Sequence, residues 1–500
     1  MKMKKGIYYF IAFAALGGAS IACSEEYLTT QAQGSFQESN YYKTEDQAYA
    51  GLVATYDVLK KQSGGFENMI TFLNAGSDDF YAGGGNASDG AGIQSFSNYS
   101  INSATIPASY WNDHYQGIYR ANVLLEKLPE VPMDEGKKAR FGAEVKALRA
   151  YYYFNLVRMF KNVPLILKPI TPAEAQTVVQ ATREEVYAFI EGDLASALDF
   201  LPTTVPSGEL GRFTKGSAQA LLGKIYLYDG KNAEAATVLA EVNGSPGGVS
   251  QYGYKLLANF SDLWVVSNKF NTESILEVAH TNQSNAGWGN WGAGSDEGNS
   301  VNQMVGPRSY AGGTGAPSYN AGWGFNPMTQ DLHDFMLGDP RFSATVADLK
   351  ALVASGSANY NPGYQDTGYF IKKFLPLTSD ISTGGGNAEL NFRQNTYAIR
   401  LADTYLLEAE ALGSSGARAQ ALLDAVRSRV GLSSVPVSAT AIANERRREL
   451  AGEGHRWFDL VRTGQATTVL SGRGFTSRNE VLPIPLAEFT NTKMVQNTGY

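Results

Sequence analysis

Leu222-Gly223-Lys224-Ile225-Tyr226, with Ala235 nine residues further on and Leu239 beyond it, decides the fold. Leu222 and Tyr226 fall four apart, on one face of a helix, while Gly223 and Ala235 keep that face low enough for a second, antiparallel helix to approach. The large side chains then fill the space between the two helices. A Leu four residues before a Tyr recurs at Leu148/Tyr152 and Leu401/Tyr405, each within a stretch of helical periodicity. The chain therefore reads as a series of helix hairpins of degenerate sequence.

Outward from that hairpin, the same periodicity predicts further helices. Thr44-Glu45-Asp46-Gln47 has the capping-box pattern and precedes Ala48, Leu52, Tyr56 and Leu59, predicting a helix over 44–61. Trp111, Tyr115, Ile118, Leu125 and Leu128 predict one over 108–128, and Val145, Leu148, Tyr152, Leu156 and Met159 one over 135–160 that ends before Pro164. A second capping box, Thr182-Arg183-Glu184-Glu185, opens a helix running toward Pro202. Helices resume at about 397, then over 416–430 and 439–462, and the prolines of Leu482-Pro483-Ile484-Pro485 predict an extended strap. The hairpin spacing is that of tetratricopeptide repeats. The fold class is mostly α, a tetratricopeptide-like helical-hairpin scaffold with an irregular loop-rich insert. Its parts are an export segment (1–22), a tether (23–43), scaffold (44–244), insert (245–395) and scaffold with strap (396–500).

Within the insert the helical pattern vanishes. Residues 281–330 hold Trp288, Trp291 and Trp323, eleven glycines, and only Asp296, Glu297 and Arg308 as charged residues. Disordered segments are poor in aromatics and rich in charge, so a long loop of this composition points to function.

The only cysteine, Cys23, follows Lys2, Lys4, Lys5 and an uncharged stretch from Gly6 to Ala22. This start resembles a bacterial lipobox, in which the cysteine is lipidated and becomes the first residue of the mature chain. Ser24-Glu25-Glu26 resembles the surface-export tag of Bacteroidetes-type lipoproteins. With Cys23 so used no disulfide is available, and stability rests on the core, for which 43% hydrophobic and 18% charged residues suffice. The formal charge of −7 becomes more acidic once the three lysines are removed, which argues against nucleic acid or anionic lipid as partners.

Glu445-Arg446-Arg447-Arg448-Glu449-Leu450-Ala451-Gly452-Glu453-Gly454-His455-Arg456-Trp457-Phe458-Asp459-Leu460-Val461-Arg462 resembles the C-terminal signature of the SusD/RagB family of surface glycan-binding lipoproteins. Ala147-Leu148-Arg149-Ala150-Tyr151-Tyr152-Tyr153-Phe154-Asn155-Leu156 is similar to its central helix. Tyr110-Trp111-Asn112, Arg400-Leu401-Ala402 and the closing Leu482-Pro483-Ile484-Pro485 to Gly499-Tyr500 follow in the family's order. The resemblance implies a helical scaffold docked as a lid on a SusC-type TonB-dependent transporter in the outer membrane. Its ligand face is formed by the variable insert and the loop in the 70s.

In the signature, Trp457, Leu460 and Val461 share a helical face and read as packing residues. Arg456 and Asp459 point elsewhere and are expected to pair, and Gly452 and Gly454 to permit a bend. No catalytic role is assigned to them. A sugar needs flat rings for its C–H face and short polar groups for its hydroxyls, and the candidate rings are Trp288, Trp291, Trp323, Tyr310 and Tyr319. The segment Asn74-Ala75-Gly76-Ser77-Asp78-Asp79-Phe80-Tyr81 resembles the family's Ser-Asp-Asp segment and adds Asn74, Asp78, Asp79 and Tyr81. One aspartate is expected to cap a turn and the other to meet hydroxyls. Adjacent aspartates rarely face one glycosidic bond. His114, His280, His333 and His455 are scattered, with no metal, serine-nucleophile or phosphate-loop motif. The reading is a binder without catalytic residues, cofactor or metal. A transporter lid with little ligand affinity, or a peptide binder, is the alternative.

Overall fold

The computed structural model describes residues 41–283, 287–288 and 297–500. The export segment and Cys23 lie outside the described residues. Helix α1 (Glu45–Tyr56) starts where Thr44 accepts a hydrogen bond from the Gln47 N–H. It is followed by α2 (Ser109–Lys127), α3 (Glu135–Phe160), α4 (Arg183–Ala197), α5 (Lys215–Tyr228) and α6 (Asn232–Asn243). The reciprocal capping box at Thr182 and Glu185 forms as the sequence predicts. Successive helices pack on one another, α1 on α2, α2 on α3, α3 on α4, α4 on α5 and α5 on α6. The row continues through α8 and α9, defined below.

The hairpin that opened the reading owes its closeness to glycine. A Cβ on Gly223 would lie 2.6 Å from Leu239 Cγ, and one on Gly117 would lie 2.5 Å from the Tyr152 ring. Ala235 and Leu239 are buried at this contact with Tyr226 packed against them, while Leu222 and Ile225 are buried in the main core. Lys224 is buried too, its ammonium 3.0 Å from the Asp403 carboxylate. Burial lowers the lysine pKa, while the paired cations Lys224 and Arg446 outweigh burial at Asp403 and hold its carboxyl well below the usual range.

Beyond α1, which gives way after Tyr56 to a 3-10 segment over Asp57–Gln62, two boundaries differ from the periodicity. The helix expected from 397 begins at Leu401, and Thr396–Arg400 is instead a strand. Thr396, Tyr397 and Ile399 favour extended backbone, and a partner strand is at hand. The strands are β1 (Ser274–Val278), β2 (Ala311–Gly312), β3 (Val346–Asp348), β4 (Ala358–Asn359), β5 (Tyr369–Ile371) and β6 (Thr396–Arg400). They pair antiparallel as β1–β6, β2–β4 and β3–β5, with Val278 opposite Thr396 in the first pair. The second difference lies in 439–462, which splits into two helices. Numbered on from α7 (Ser300–Val305) in the insert, α8 is Leu401–Ala411, α9 Gly416–Arg429, α10 Ala439–Glu449 and α11 Arg456–Arg462. Gly452 and Gly454 adopt φ +79° and +80° in the break, a region that other residues enter only with strain.

The apolar core of the insert, built from residues that include Val301, Val305, Met328, Leu332, Met336, Leu349, Phe370, Ile371 and Phe374, also takes in Ile70, Phe80 and Ala451 from the scaffold. Buried charge joins it to the scaffold. Glu445, Glu449 and Glu453 follow one another four apart from α10 into the turn, and they receive Arg341 and Lys373 from the insert and Arg400 from β6. Arg341 reaches Glu445 at 2.6 Å and Glu449 at 2.8 Å, Lys373 reaches Glu453 at 2.8 Å, and Arg400 reaches Glu449 at 2.6 Å and Glu453 at 2.9 Å. Every carboxylate of the triplet meets at least one cation from outside its own helix, so the cluster avoids an unmatched buried charge. The strap is extended as expected, with the Leu482 N–H donating to the Met159 carbonyl and Leu482 and Ile484 buried.

Candidate functional site

The loop after the 70s and the insert meet along short backbone pairings, Phe80 with Met328 and Gly83 with Phe325. Gly83 (φ +73°) has no room for a side chain, since a Cβ there would stand 2.4 Å from the Gly324 carbonyl oxygen. This close approach sets the 83–90 loop beside the 320s segment, which α7 holds from its other side. The Trp323 N–H donates to the Gln303 carbonyl and the Phe325 N–H to that of Met304.

A row of rings runs along the junction. Trp288 lies with its centroid 5.8 Å from Trp323 at 31°, Trp323 lies 6.2 Å from Phe66, and Phe66 meets Phe325 edge-on at 5.3 Å. Phe325 is buried, Trp323 and Phe66 are half-buried, and Trp288 is 49% exposed. The row thus passes from core to surface. The Trp288 indole N–H donates to Glu389 at 3.2 Å, which steadies the ring while its surface stays open. Beside it, Arg308 donates to the Trp323 carbonyl at 3.2 Å and flanks Gly85, Gly324 and Gly363. Asp89 accepts from the Gly85 N–H at 2.7 Å, and the Tyr364 N–H donates to the Gly84 carbonyl, with the Tyr364 side chain 37% exposed. The junction thus carries an open indole at one end and a guanidinium, a carboxylate and a phenol along the 83–90 and 320s segments, the two kinds of surface that a sugar ring requires.

The residues expected at the site divide into groups. Trp288 and Trp323 come together as described, and Trp291 lies outside the described residues. Tyr310 and Tyr319 form a separate pair with centroids 5.6 Å apart; Tyr310 donates to the Pro317 carbonyl and Tyr319 is buried in the core of the insert. A core position removes Tyr319 from an open stacking face. Tyr81 is half-buried with the Arg473 guanidinium 4.9 Å from its ring.

Asn74, Asp78 and Asp79 require correction, because each is tied to internal partners, although Asp79 Oδ2 is buried without one among the described residues. Asn74 is buried, donates to the Gly452 carbonyl at 2.8 Å and accepts from the Gly454 N–H at 3.2 Å. Asp78 accepts two hydrogen bonds from Arg456, both at 2.8 Å, and so caps no turn. Asp79 is buried and accepts from Arg447 at 2.7 Å. Burial raises both carboxyls; at Asp78 the Arg456 and Arg447 guanidinium groups outweigh it and leave the pKa lowered, whereas at Asp79 burial prevails. The segment fastens the C-terminal signature. Arg456 accordingly pairs with Asp78 and not with Asp459, which is held by Arg446 and Arg462. Trp457 is fully buried, 5.4 Å from Phe96, so the packing role read for it stands.

Phe66, Tyr364 and Glu389 carried no signal in the sequence. Arg308 did, as the lone cation of the 281–330 stretch.

A protein with a helix-hairpin scaffold, an insert clamped to it by buried charge and an aromatic row rising to the surface has close counterparts. Residues 272–500 match the model described as the SusD family, and residues 40–227 match one described as starch-binding associating with outer membrane. The chain is 65% identical to a solved structure titled laminarin binding SusD-like protein, covering 92% of this chain and 100% of that one, with a TM-score of 0.91. It is 25% identical to surface glycan-binding protein A from Bacteroides thetaiotaomicron in complex with laminarihexaose, covering 91% and 99% of the two chains with a TM-score of 0.81. A SusD-like protein of Formosa agariphila is 25% identical over 99% of this chain and 98% of its own. The chain belongs to the SusD family.

Proposed function

We propose that the protein is a cell-surface glycan-binding lipoprotein, anchored through Cys23, that captures oligosaccharide outside the cell and passes it to a TonB-dependent outer-membrane transporter without chemistry of its own. The observation that carries this reading is the open Trp288 ring, 49% exposed and backed by Trp323 at 5.8 Å. An exposed indole backed by a second ring presents the flat apolar face on which the C–H groups of a sugar stack. The β-glucan class is the favoured ligand, supported by the names of the two relatives that bind laminarin or its hexaose. Asp89, Arg308 and Tyr364 are the candidate hydroxyl partners. Tethering keeps captured sugar at high effective concentration above the barrel.

Calorimetric titration of the purified chain with laminarihexaose, cellohexaose and maltohexaose tests the reading. Binding of laminarihexaose, lost in Trp288→Ala, supports it. Silence across the three sugars leaves a transporter lid with little affinity of its own, and glucose release during titration rejects a binder without catalysis.

A further inference from the structure

A cavity of about 500 Å³ has Asn302 of α7 on its wall but none of the residues of the aromatic row. Gln303 holds Trp323 through its backbone, while the neighbouring Asn302 lies on the cavity wall with its amide donating to Gln394 at 2.6 Å. The volume falls in the range of about 300–1,000 Å³ typical of small-ligand sites.

Its wall is mixed in a specific way. Half-buried Trp264, exposed Val265 and Leu377, and the buried ring of Tyr319 give it apolar surface. Ser261, Ser267 and Ser343 place short polar groups between them.

The charges select the ligand. Lys373 on the wall is already matched by Glu453. Lys372 is exposed and donates to the neutral Ser343 carbonyl at 2.7 Å, while Arg393 stands 3.7 Å from Asp380, beyond hydrogen-bond length. With Lys373 matched, the wall residues Lys372, Arg393 and Asp380 leave two cations to one carboxylate, in a chain whose formal net charge is −7. We propose that this cavity binds a saccharide unit carrying one carboxylate, a uronic acid, with its carboxylate between Lys372 and Arg393, its hydroxyls on the serines and its C–H groups on the Trp264 wall. The site is independent of the glucan reading, since no residue of the Trp288 row lines it.

Calorimetric titration of the full chain with trigalacturonate, trimannuronate, the methyl ester of trigalacturonate and the peptide Gly-Gly-Leu tests this. One of the acidic trimers should bind. Lys372→Ala and Arg393→Ala should each weaken it at least about tenfold, the usual loss when a charged hydrogen bond goes. Trp288→Ala should leave it unchanged, though it weakens laminarihexaose. Arg393→Gln repeats the test with the side-chain bulk kept, and an unaltered Tm in each variant certifies the fold. The proposal is overturned if neither trimer binds, if the neutral ester binds as well as the acid, if the peptide binds in place of the sugars, or if Trp288→Ala abolishes the uronate signal.

Discussion

Arg456 grips Asp78 through two parallel hydrogen bonds of 2.8 Å, joining residues 378 positions apart in the chain. The C-terminal signature and the loop in the 70s, which as sequence look like a scaffold motif and a ligand motif, are therefore two halves of one structural joint. Asn74 adds to it by holding both ends of the Gly452–Gly454 bend. The joint sets the position from which the chain proceeds through Phe80 and Gly83 to the 83–90 loop.

Asp78→Asn should therefore act on stability and not on affinity. Removing one partner of a buried pair costs about 3–5 kcal/mol, and since these side chains keep 15% and 19% exposure a loss of about 2 kcal/mol is expected. Urea unfolding measures it. Laminarihexaose affinity of the folded variant should match the parent; a fall in affinity with unchanged stability would return Asp78 to the ligand site.

Trp288→Ala should do the opposite. The ring is half exposed, so Tm should hold. Loss of a stacking anchor should weaken laminarihexaose about tenfold. Equal affinity in parent and variant would take this ring out of the site.

Trp457→Ala tests the joint from its other side. Its indole is fully buried against Phe96 and Phe458, and losing a buried aromatic of this size typically costs ~3–5 kcal/mol. A variant that melts with the parent would show that the site collapses around the missing ring.

The helices were legible because their signals are local. Thr182 with Glu185, the glycine at 223 and the Leu-Tyr pairs act within one or two turns, and each formed where the spacing placed it. Strand β6 was misread since its partner β1 lies more than a hundred residues upstream, so the extended preference of Tyr397 and Ile399 had no visible pairing to express it. The site was half legible for a related reason. Tryptophans among glycines announce exposed rings, which found Trp288 and Trp323. A carboxylate announces nothing about its partner, and Asp78 and Asp79 looked free only because Arg456 and Arg447 sit at the far end of the chain. Tyr319 failed similarly, since its polar, glycine-rich neighbours gave no hint of the apolar core formed by residues 301–375.

Acid should unfold the protein through its neutral buried histidines, His114 most clearly. His114 Nδ1–H donates to the Tyr110 carbonyl at 2.8 Å and Nε2 accepts from the Asn155 amide at 3.0 Å, so a second ring proton would face a donor. Burial lowers its pKa from 6.5 to about 4. The unfolded chain therefore takes up this proton below pH 6.5, whereas the folded chain does so only near pH 4. Stability from this group is complete above pH 6.5, declines through the window from 6.5 to about 4, and is flat below it, a total of about 3 kcal/mol. His280, also lowered to about 4 by burial, adds a decline in the same window, but its Nε2 partner is the Ser63 hydroxyl, which can turn to accept. Tm measured from pH 7.5 to 4 should fall below pH 6.5, and in His114→Gln, compared with its own value at pH 7.5, it should fall less. Identical slopes in the two proteins would mean that His114 is already protonated in the fold or released to water before the chain unfolds.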